Sequence, residues 1–306
     1  MKKNKRDVCM IEVPPFPALT TEQRWHLDVF GYVVIENMLS NDQVINLKNA
    51  LNNFRNEFMQ LEQPWNTPIR NGIIHGKLNE IKFNNLIEAD PLFLQYAIHP
   101  RIVGMVQEVI GLGVRICETE AIINSRDKSD KYSGPPRYQW HRARPTSFTY
   151  YDNGLFHCTF VKAITNLTDI GEEDGGTAVV PGSHKSMCEE ESMIKAVKND
   201  PSLIHNVVAP AGSTLVFCET LLHATAPITS DNERMIMITG YQPWNHRTNT
   251  VRELSDAFKK SIPEELEKLV LGSDLNPRLR RRTLGMDPDS QSVSEKMDIW
   301  SLDSPQ

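Results

Sequence analysis

The sequence predicts a mostly β protein with flanking helices, of the α+β class, whose core is one antiparallel sandwich or barrel. Seven short β-rich runs follow one another over about 130 residues after residue 113, punctuated by Gly, Pro, Asn and Asp. No long helical period separates these runs, which argues against a doubly wound α/β sheet. Amphipathic helical patterns fill the N-terminal third, and helices return at 251–272.

The N-terminal third begins with an irregular, Pro-rich arm over residues 1–17. The segment Thr20-Thr21-Glu22-Gln23, with a threonine as N-cap, opens a helix to about Phe30, and 31–39 reads as a strand. Ser40 is the predicted N-cap of a longer second helix. Its apolar residues recur at helical spacing and predict a face packed on the core: Val44, Leu47, Leu51, Phe54 and Phe58.

The next segment, 62–90, is mixed and polar and reads as loop with short helical pieces. Helices are expected to begin at Asp90-Pro91 and at Pro100, and Gly111 ends the second of them. A polar, helical insertion is expected at 186–200. The β-rich runs are VRICETEAIIN, YQWHRA, SFTYYDN, HCTFVKAITNL, GTAVVPGS, HNVVAPAGSTLVF and RMIMITGYQP.

These elements form one predicted domain over residues 1–284, with its β core at about 113–245. The tail, 285–306, is polar and acidic, a composition typical of disordered segments.

Composition excludes several classes of protein. The 306 residues carry a net charge of -6, which argues against a nucleic-acid-binding surface. No window approaches the ~20 apolar residues that a membrane span needs. The five cysteines are odd in number and lack a C-x-x-C pair, so neither a disulfide framework nor a zinc site is expected. The N-terminus has no apolar signal segment, and we expect a cytoplasmic protein.

Two histidines in the β region are candidate metal ligands. A single histidine on a strand is usually structural, so the argument rests on their arrangement. His141 is predicted on the first strand of the β core, and His223 lies 82 residues later on a strand near its end. Early and late strands of a closed antiparallel sheet can face each other. Two neutral imidazoles placed in this way leave room on a non-haem iron for a bidentate oxoacid and O2.

A candidate carboxylate-binding pair accompanies them. Arg234 follows His223 by eleven residues and opens the next strand, and a guanidinium binds carboxylates in bidentate fashion. Thr225 shares the face of His223 on a regular strand, and its hydroxyl can bind the same carboxylate. These groups suit 2-oxoglutarate. His184, in the turn after Gly175-Gly176, is expected to make a local hydrogen bond rather than to bind metal.

Residues 24–245 resemble the phytanoyl-CoA dioxygenase (PhyH) family of Fe(II)/2-oxoglutarate oxygenases. The likeness rests on GEEDGGTAVVPGSHK, on the set His223, Thr225 and Arg234, and on the opening HLDVFGYVVIENMLSNDQV. It implies a double-stranded β-helix, a jelly-roll or cupin-like core, with Fe(II) and 2-oxoglutarate as cofactors. It also implies that His141 and His223 bind iron, that Arg234 binds the far carboxylate of 2-oxoglutarate with help from Thr225, and that succinate and CO2 are formed.

One position departs from the family pattern. The family motif is His-x-Asp, whose Asp is the third iron ligand, whereas this chain has His141-Arg142-Ala143. A methyl group cannot bind iron, and chloride at the vacant position, as in related halogenases, is one interpretation. Another is a substitute carboxylate, with Glu219 ahead of Glu118 and Glu120. Water as the third ligand, an inactive binding protein and an engineered substitution at Ala143 complete the alternatives.

The interpretation favoured slightly is hydroxylation of a C–H bond in a small organic substrate, with O2 as co-substrate. Halogenation and an inactive PhyH-like binding protein are the alternatives. Arg142 and Arg144 flank the site and could hold an anionic group, although a solvated or salt-bridged role is expected more often. Neither nucleic acid nor membrane is expected as a partner. The residues indicate neither the substrate nor the oligomeric state.

Overall fold

The computed structural model describes residues 18–246 and 253–272, except residues 112, 130, 133, 135 and 153. The predicted N-terminal arm, the acidic tail and the end of the predicted domain at residue 284 lie outside the described residues.

The first two helices begin where the sequence predicts. Helix α1 (Thr21–Phe30) and helix α2 (Asn41–Met59) both start with a capping box, formed by Thr20 with Gln23 and by Ser40 with Gln43. In each box the hydroxyl accepts from the N3 backbone and the N3 side chain accepts from the cap backbone, so two otherwise unpaired N–H groups are satisfied. The predicted apolar stripe of α2 is buried: Val44, Leu47, Leu51, Phe54 and Phe58.

The remaining helices are short and lie around the sheets. They are α3 (Pro91–Ala97), α4 (Pro100–Ile110), α5 (Pro145–Phe148), α6 (Glu190–Asn199), α7 (Asp256–Ser261) and α8 (Glu264–Val270). Gly111 ends α4 with a φ of 73°, a left-handed conformation that suits glycine. The helices predicted at 186–200 and 251–272 are therefore present, as α6 and as the pair α7 and α8.

The strands form one large and two small antiparallel sheets. In chain order they are β1 (Tyr32–Ile35), β2 (Ile73–Lys77), β3 (Glu80–Asn84), β4 (Val114–Asn124), β5 (Thr149–Asp152), β6 (Leu155–Cys158), β7 (Val161–Asn166), β8 (Thr177–Val179), β9 (His205–Val207), β10 (Thr214–Cys218), β11 (His223–Thr225) and β12 (Arg234–Pro243). The major sheet has the order β1-β10-β7-β12-β4-β3-β2. The minor sheet has the order β11-β8-β9, and β5 pairs with β6.

Alternate side chains along the strands show what packs on each face of the major sheet. On β12, Met235 and Met237 pack into the cluster shared with the helices, whereas Ile236 and Ile238 pack with Val179 of the minor sheet. Successive side chains of a strand point to opposite faces, so the major sheet is buried on both sides. The helices cover its outer face and the minor sheet covers part of its inner face. This two-sheet arrangement confirms the predicted double-stranded β-helix core with flanking helices.

Two local predictions were wrong. Residues 62–90 are not mainly loop, because β2 and β3 form a hairpin that extends the major sheet beside β4. The run YQWHRA is not a strand; His141 makes an isolated bridge there instead. Both segments owe their conformation to pairing with distant residues, which the local pattern does not contain.

No helix among the described residues is long and apolar enough to span a bilayer.

Candidate metal centre

The two predicted ligand histidines lie side by side. The N–H of His141 donates to the carbonyl of His223 at 3.0 Å, and the reverse bond is 3.1 Å. The β11 strand is at the edge of the minor sheet, so His141 pairs with the free side of that edge. The ring centroids are 4.2 Å apart. The prediction that the two imidazoles face each other across the barrel was wrong, because a directly paired position brings side chains to the same face.

Backbone carbonyls hold both imidazoles in the form that binds metals. Nδ1 of His141 is 3.0 Å from the carbonyl of Gln139, and Nδ1 of His223 is 2.8 Å from the carbonyl of Leu221. A carbonyl can only accept, so each Nδ1 carries the hydrogen and each Nε2 keeps its lone pair. Burial, assisted by His141, lowers the pKa of His223 to about 3. His223 is therefore neutral at physiological pH.

Glu219 lies beside these rings, on the turn between β10 and β11. One ligand atom from each of His141, Glu219 and His223 can be chosen so that all three lie within 4.8 Å of one another. The Glu219 side chain is buried, and its Oε2 is 3.9 Å from Nε2 of His223. Burial raises the pKa of Glu219, and Lys162 opposes that shift. The N–H of Ala143 donates to the Glu219 carbonyl at 2.8 Å, so Ala143 adjoins this turn.

Lys162 is the charged residue of the site that sequence patterns did not indicate. It projects from β7 and lies 3.4 Å from Oε1 of Glu219 and 3.2 Å from Oε2 of Glu118. Gly240 stands between Lys162 and Glu118 in the strand register. A Cβ at Gly240 would be 3.0 Å from Oε2 of Glu118, so glycine leaves space for this ion pair. A lysine within the otherwise apolar run VKAIT was the available signal.

The two weaker carboxylate candidates do not join the histidines among the residues described. Glu118 contacts Lys162, and Glu120 accepts a hydrogen bond from Asn84. Burial, with a contribution from Glu118, raises the pKa of Glu120 to about 7.

Arg234 is a buried cation that lacks an acidic partner within the described chain. It is 3% exposed, and its guanidinium donates a long 3.4 Å hydrogen bond from Nη1 to Oδ1 of Asn124. Its Nε is buried without a hydrogen-bond partner. Burial lowers the pKa of Arg234 to about 10. A buried guanidinium in this state is a strong site for an incoming carboxylate, because the anion supplies the charge and hydrogen bonds that it lacks.

The histidines and Arg234 open into the same cavity, which has a volume of about 660 Å³. Thr225 is exposed and lines the same cavity. Charged residues of the major sheet, Lys82, Glu120 and Lys162, share the wall with apolar residues such as Ile164 and Ile236.

Two other residues singled out in the sequence have structural contacts. His184 is fully buried, and its Nε2 lies 3.1 Å from the carbonyl of Asp28. It makes a hydrogen bond as predicted, but the prediction that this bond is local was wrong, because Asp28 belongs to α1. Arg142 donates to the carbonyls of Ser183, Ser186 and Cys188, so it fixes a loop rather than pointing to an anion site. Arg144 is exposed.

Sequence comparison decides the family. Residues 27–236, more than half of the chain, match the profile of phytanoyl-CoA dioxygenase (PhyH). The chain belongs to the PhyH family. No curated protein matches the chain closely enough to be called a relative of it.

Solved structures share the fold of this PhyH-family chain. HygX from Streptomyces hygroscopicus, with nickel and 2-oxoglutarate bound, is 23% identical with a TM-score of 0.62, covering 77% of this chain and 91% of its own. EctD from S. alaskensis, with bound Fe, is 18% identical with a TM-score of 0.59, covering 79% and 85%. SnoN, a non-heme alpha-ketoglutarate-dependent epimerase from nogalamycin biosynthesis, is 18% identical with a TM-score of 0.53, covering 79% and 89%. At these identities the likeness shows the cupin-like fold.

Proposed function

We propose that this PhyH-family chain is an Fe(II)/2-oxoglutarate-dependent oxygenase that oxidises a C–H bond of a small organic substrate. One observation carries the proposal. One cavity is lined by two imidazoles with free Nε2 atoms and by a buried guanidinium. This guanidinium lacks an acidic partner in the described chain.

The residues present fit both cofactors. His141 and His223 would hold Fe(II), because their backbone hydrogen bonds already fix the ligating tautomer. Arg234 would bind the far carboxylate of 2-oxoglutarate, and the Thr225 hydroxyl would donate to the same group. When bound, iron and 2-oxoglutarate supply the oxidation of substrate by O2, with succinate and CO2 as co-products.

An active enzyme fits the cavity better than an inactive binding protein does. Inactivity would be favoured by a blocked cofactor pocket or by an Arg234 directed elsewhere. Arg234 instead lines an open cavity together with both histidines. Two solved structures of similar fold, HygX and EctD, contain 2-oxoglutarate, which supports binding of 2-oxoglutarate in this cavity.

The substrate we propose is a small, polar organic molecule. Lys82, Glu120 and Lys162 line the cavity, so a bound molecule would exchange its hydration for charged and hydrogen-bonding groups. Two neighbouring structures contain polar molecules, hygromycin B in HygX and 5-hydroxyectoine in EctD. They support the class of substrate and not its identity.

Hydroxylation is the outcome we favour, with halogenation as the second candidate. The observation that favours halogenation is Ala143, which provides no carboxylate where the family motif has one. An anion beside the histidines would, however, lie close to the buried carboxylate of Glu219. Chloride and this carboxylate would compete for one open position on the iron, and the buried Glu219 beside the histidines therefore favours hydroxylation.

The test is formation of succinate from 2-oxoglutarate in air with Fe(II), in the presence of a panel of small polar molecules. We expect wild-type protein to form succinate at least tenfold faster than His223→Ala. Chloride should leave the product hydroxylated rather than chlorinated. If wild-type protein and His223→Ala form succinate at the same rate, the oxygenase proposal is wrong.

A further inference from the structure

We infer that Glu219 supplies the third protein ligand of the metal, in place of the carboxylate that Ala143 lacks. The inference rests on the proposed function and specifies its metal centre. It assigns the ligand to the turn between β10 and β11, on the His223 side of the site, instead of to the second residue after His141.

The two carboxylate oxygens of Glu219 have different surroundings. Oε1 lies 3.4 Å from the ammonium of Lys162. Oε2 lies 3.9 Å from Nε2 of His223, is buried, and has no hydrogen-bond partner. An unpaired buried carboxylate oxygen is costly, since a charged acceptor removed from water needs compensation. A cation between Oε2 and the two Nε2 atoms would provide it.

The separations suit one metal ion. Metal–nitrogen and metal–oxygen bonds of about 2.0–2.2 Å place two ligands of one ion roughly 3–4 Å apart. The Glu219 Oε2 to His223 Nε2 distance of 3.9 Å lies in this range. One ligand atom from each of the three residues lies within 4.8 Å of the others, so a small side-chain movement would bring all three to bonding distance. Among the described residues this is the one group of three or more His, Cys, Asp or Glu side chains with such a separation.

The backbone explains how this turn stands in for the family motif. The Glu219 carbonyl accepts from the N–H of Ala143, and its own N–H donates to the carbonyl of Phe160. These bonds hold Glu219 beside the segment that carries His141. A carboxylate on the neighbouring segment can therefore reach the site that a side chain at position 143 would otherwise serve.

The local charge also favours a cation over chloride. Glu118 and Glu219 both contact the single ammonium of Lys162, so the two carboxylates leave one excess negative charge. A divalent ion is attracted to this cluster and a halide is repelled by it. Two imidazoles and one carboxylate with open positions form the ligand set of non-haem Fe(II) oxygenases.

The experiment measures anaerobic binding of Co(II) to full-length protein by calorimetry and by its visible spectrum, without 2-oxoglutarate. Wild-type protein is compared with Glu219→Ala and Glu219→Gln. Affinity should fall at least tenfold in Glu219→Ala, because even residues behind the ligands change affinity 10–100-fold. The Co(II) spectrum should change in both variants. Glu80→Gln is the matched control, because Glu80 lines the same cavity but pairs with Lys82.

A second variant keeps the test independent of folding. Adding Ala143→Asp to Glu219→Ala should restore Co(II) affinity to within about threefold of wild type. Unfolding curves with near-native midpoints establish that each variant is folded. Chloride should alter the Co(II) spectrum of Glu219→Ala, where the position is open, and leave the wild-type spectrum unchanged.

The outcomes separate this inference from the proposed function. If wild-type protein binds Co(II) through His141 and His223 but Glu219→Ala binds it equally well, the assignment of Glu219 is wrong and the oxygenase proposal stands. A chloride-dependent wild-type spectrum likewise overturns the assignment. If neither wild-type protein nor the Ala143→Asp double variant binds Co(II), both proposals fail.

Discussion

Replacing Arg234 by methionine should make the protein more stable while it abolishes 2-oxoglutarate binding. Burial lowers the pKa of Arg234 from its usual 12.5 to about 10. At about 1.36 kcal/mol for each pKa unit, a shift of about 2.5 units disfavours the charged guanidinium by about 3 kcal/mol. Because the pKa of a base is lowered on folding, this penalty is fully present at pH 7, where the guanidinium is charged in both states.

Methionine removes the charge, keeps much of the volume and loses only the long hydrogen bond to Asn124. We expect the free energy of unfolding of Arg234→Met without ligand to exceed that of wild type by about 1–3 kcal/mol. A domain of this size gains roughly 2–4 °C in Tm per kcal/mol.

The same substitution should remove the stabilisation of the protein by bound 2-oxoglutarate. At about 100 times its Kd, 2-oxoglutarate should stabilise wild-type protein loaded with Ni(II) by about 2.7 kcal/mol, and Arg234→Met should show no such shift. Differential scanning calorimetry with and without 2-oxoglutarate measures both quantities. Arg126→Met is the control: Arg126 lines the cavity but is partly exposed and paired with Asp231, so its removal should change stability by at most about 0.5 kcal/mol. A destabilised Arg234→Met that keeps the ligand-dependent shift would refute the reasoning.

Three further predictions concern the charge cluster, a pocket carboxyl and a helix cap. Lys162→Met removes the ammonium that orients the Glu219 carboxylate and opposes its raised pKa, and this loss should outweigh the added negative charge. Co(II) affinity should fall about tenfold and the Co(II) spectrum should shift, with recovery in Lys162→Arg. Equal loss in both variants would contradict the role of the cation in orienting Glu219. Because the pKa of Glu120 is raised to about 7, its carboxyl is protonated in the folded protein and ionised in the unfolded chain between about pH 4.5 and 7. The free energy of unfolding of wild-type protein, measured in urea, should therefore decrease by about 3 kcal/mol as the pH rises through that window. Glu120→Gln should reduce this slope, and identical slopes would exclude the effect. Ser40→Ala should lower the free energy of unfolding by about 1 kcal/mol through loss of the capping box with Gln43, and an unchanged urea midpoint would show that the cap contributes nothing.

The elements predicted well are those whose signal is local. The caps Thr20 and Ser40 begin their helices because the hydroxyl and the glutamine three residues later satisfy neighbouring backbone groups. The runs 114–124 and 234–243 are strands as predicted, because both are long and rich in β-branched residues. The PhyH resemblance, confirmed by the family match, supplied the double-stranded β-helix that the residue pattern alone left as sandwich or barrel.

The elements predicted poorly depend on contacts between distant residues. The hairpin of β2 and β3 contains polar residues such as His75 and Lys77, and it is ordered by pairing with β4. Strand β2 also contains Gly76 with a φ of 102°, a left-handed conformation that suits glycine and that the surrounding composition does not indicate.

The candidate site was predictable in its residues but not in its arrangement. His141, His223, Thr225 and Arg234 do line one cavity, but the histidines are paired neighbours and not opposed. Glu219 could be named as a candidate ligand from the sequence, but its position on a turn beside the two rings could not. The direction of a carboxylate side chain on a turn cannot be predicted from the periodicity of a strand.

The most direct measurement is an anaerobic titration of apoprotein with Fe(II) and 2-oxoglutarate, followed by the metal-to-ligand charge-transfer band in the visible spectrum. The account predicts a band that saturates at one iron per chain, does not shift with chloride, and is absent in His223→Ala and in Arg234→Met at the same 2-oxoglutarate concentration. Failure of the band to appear in folded wild-type protein would contradict the iron and 2-oxoglutarate centre itself.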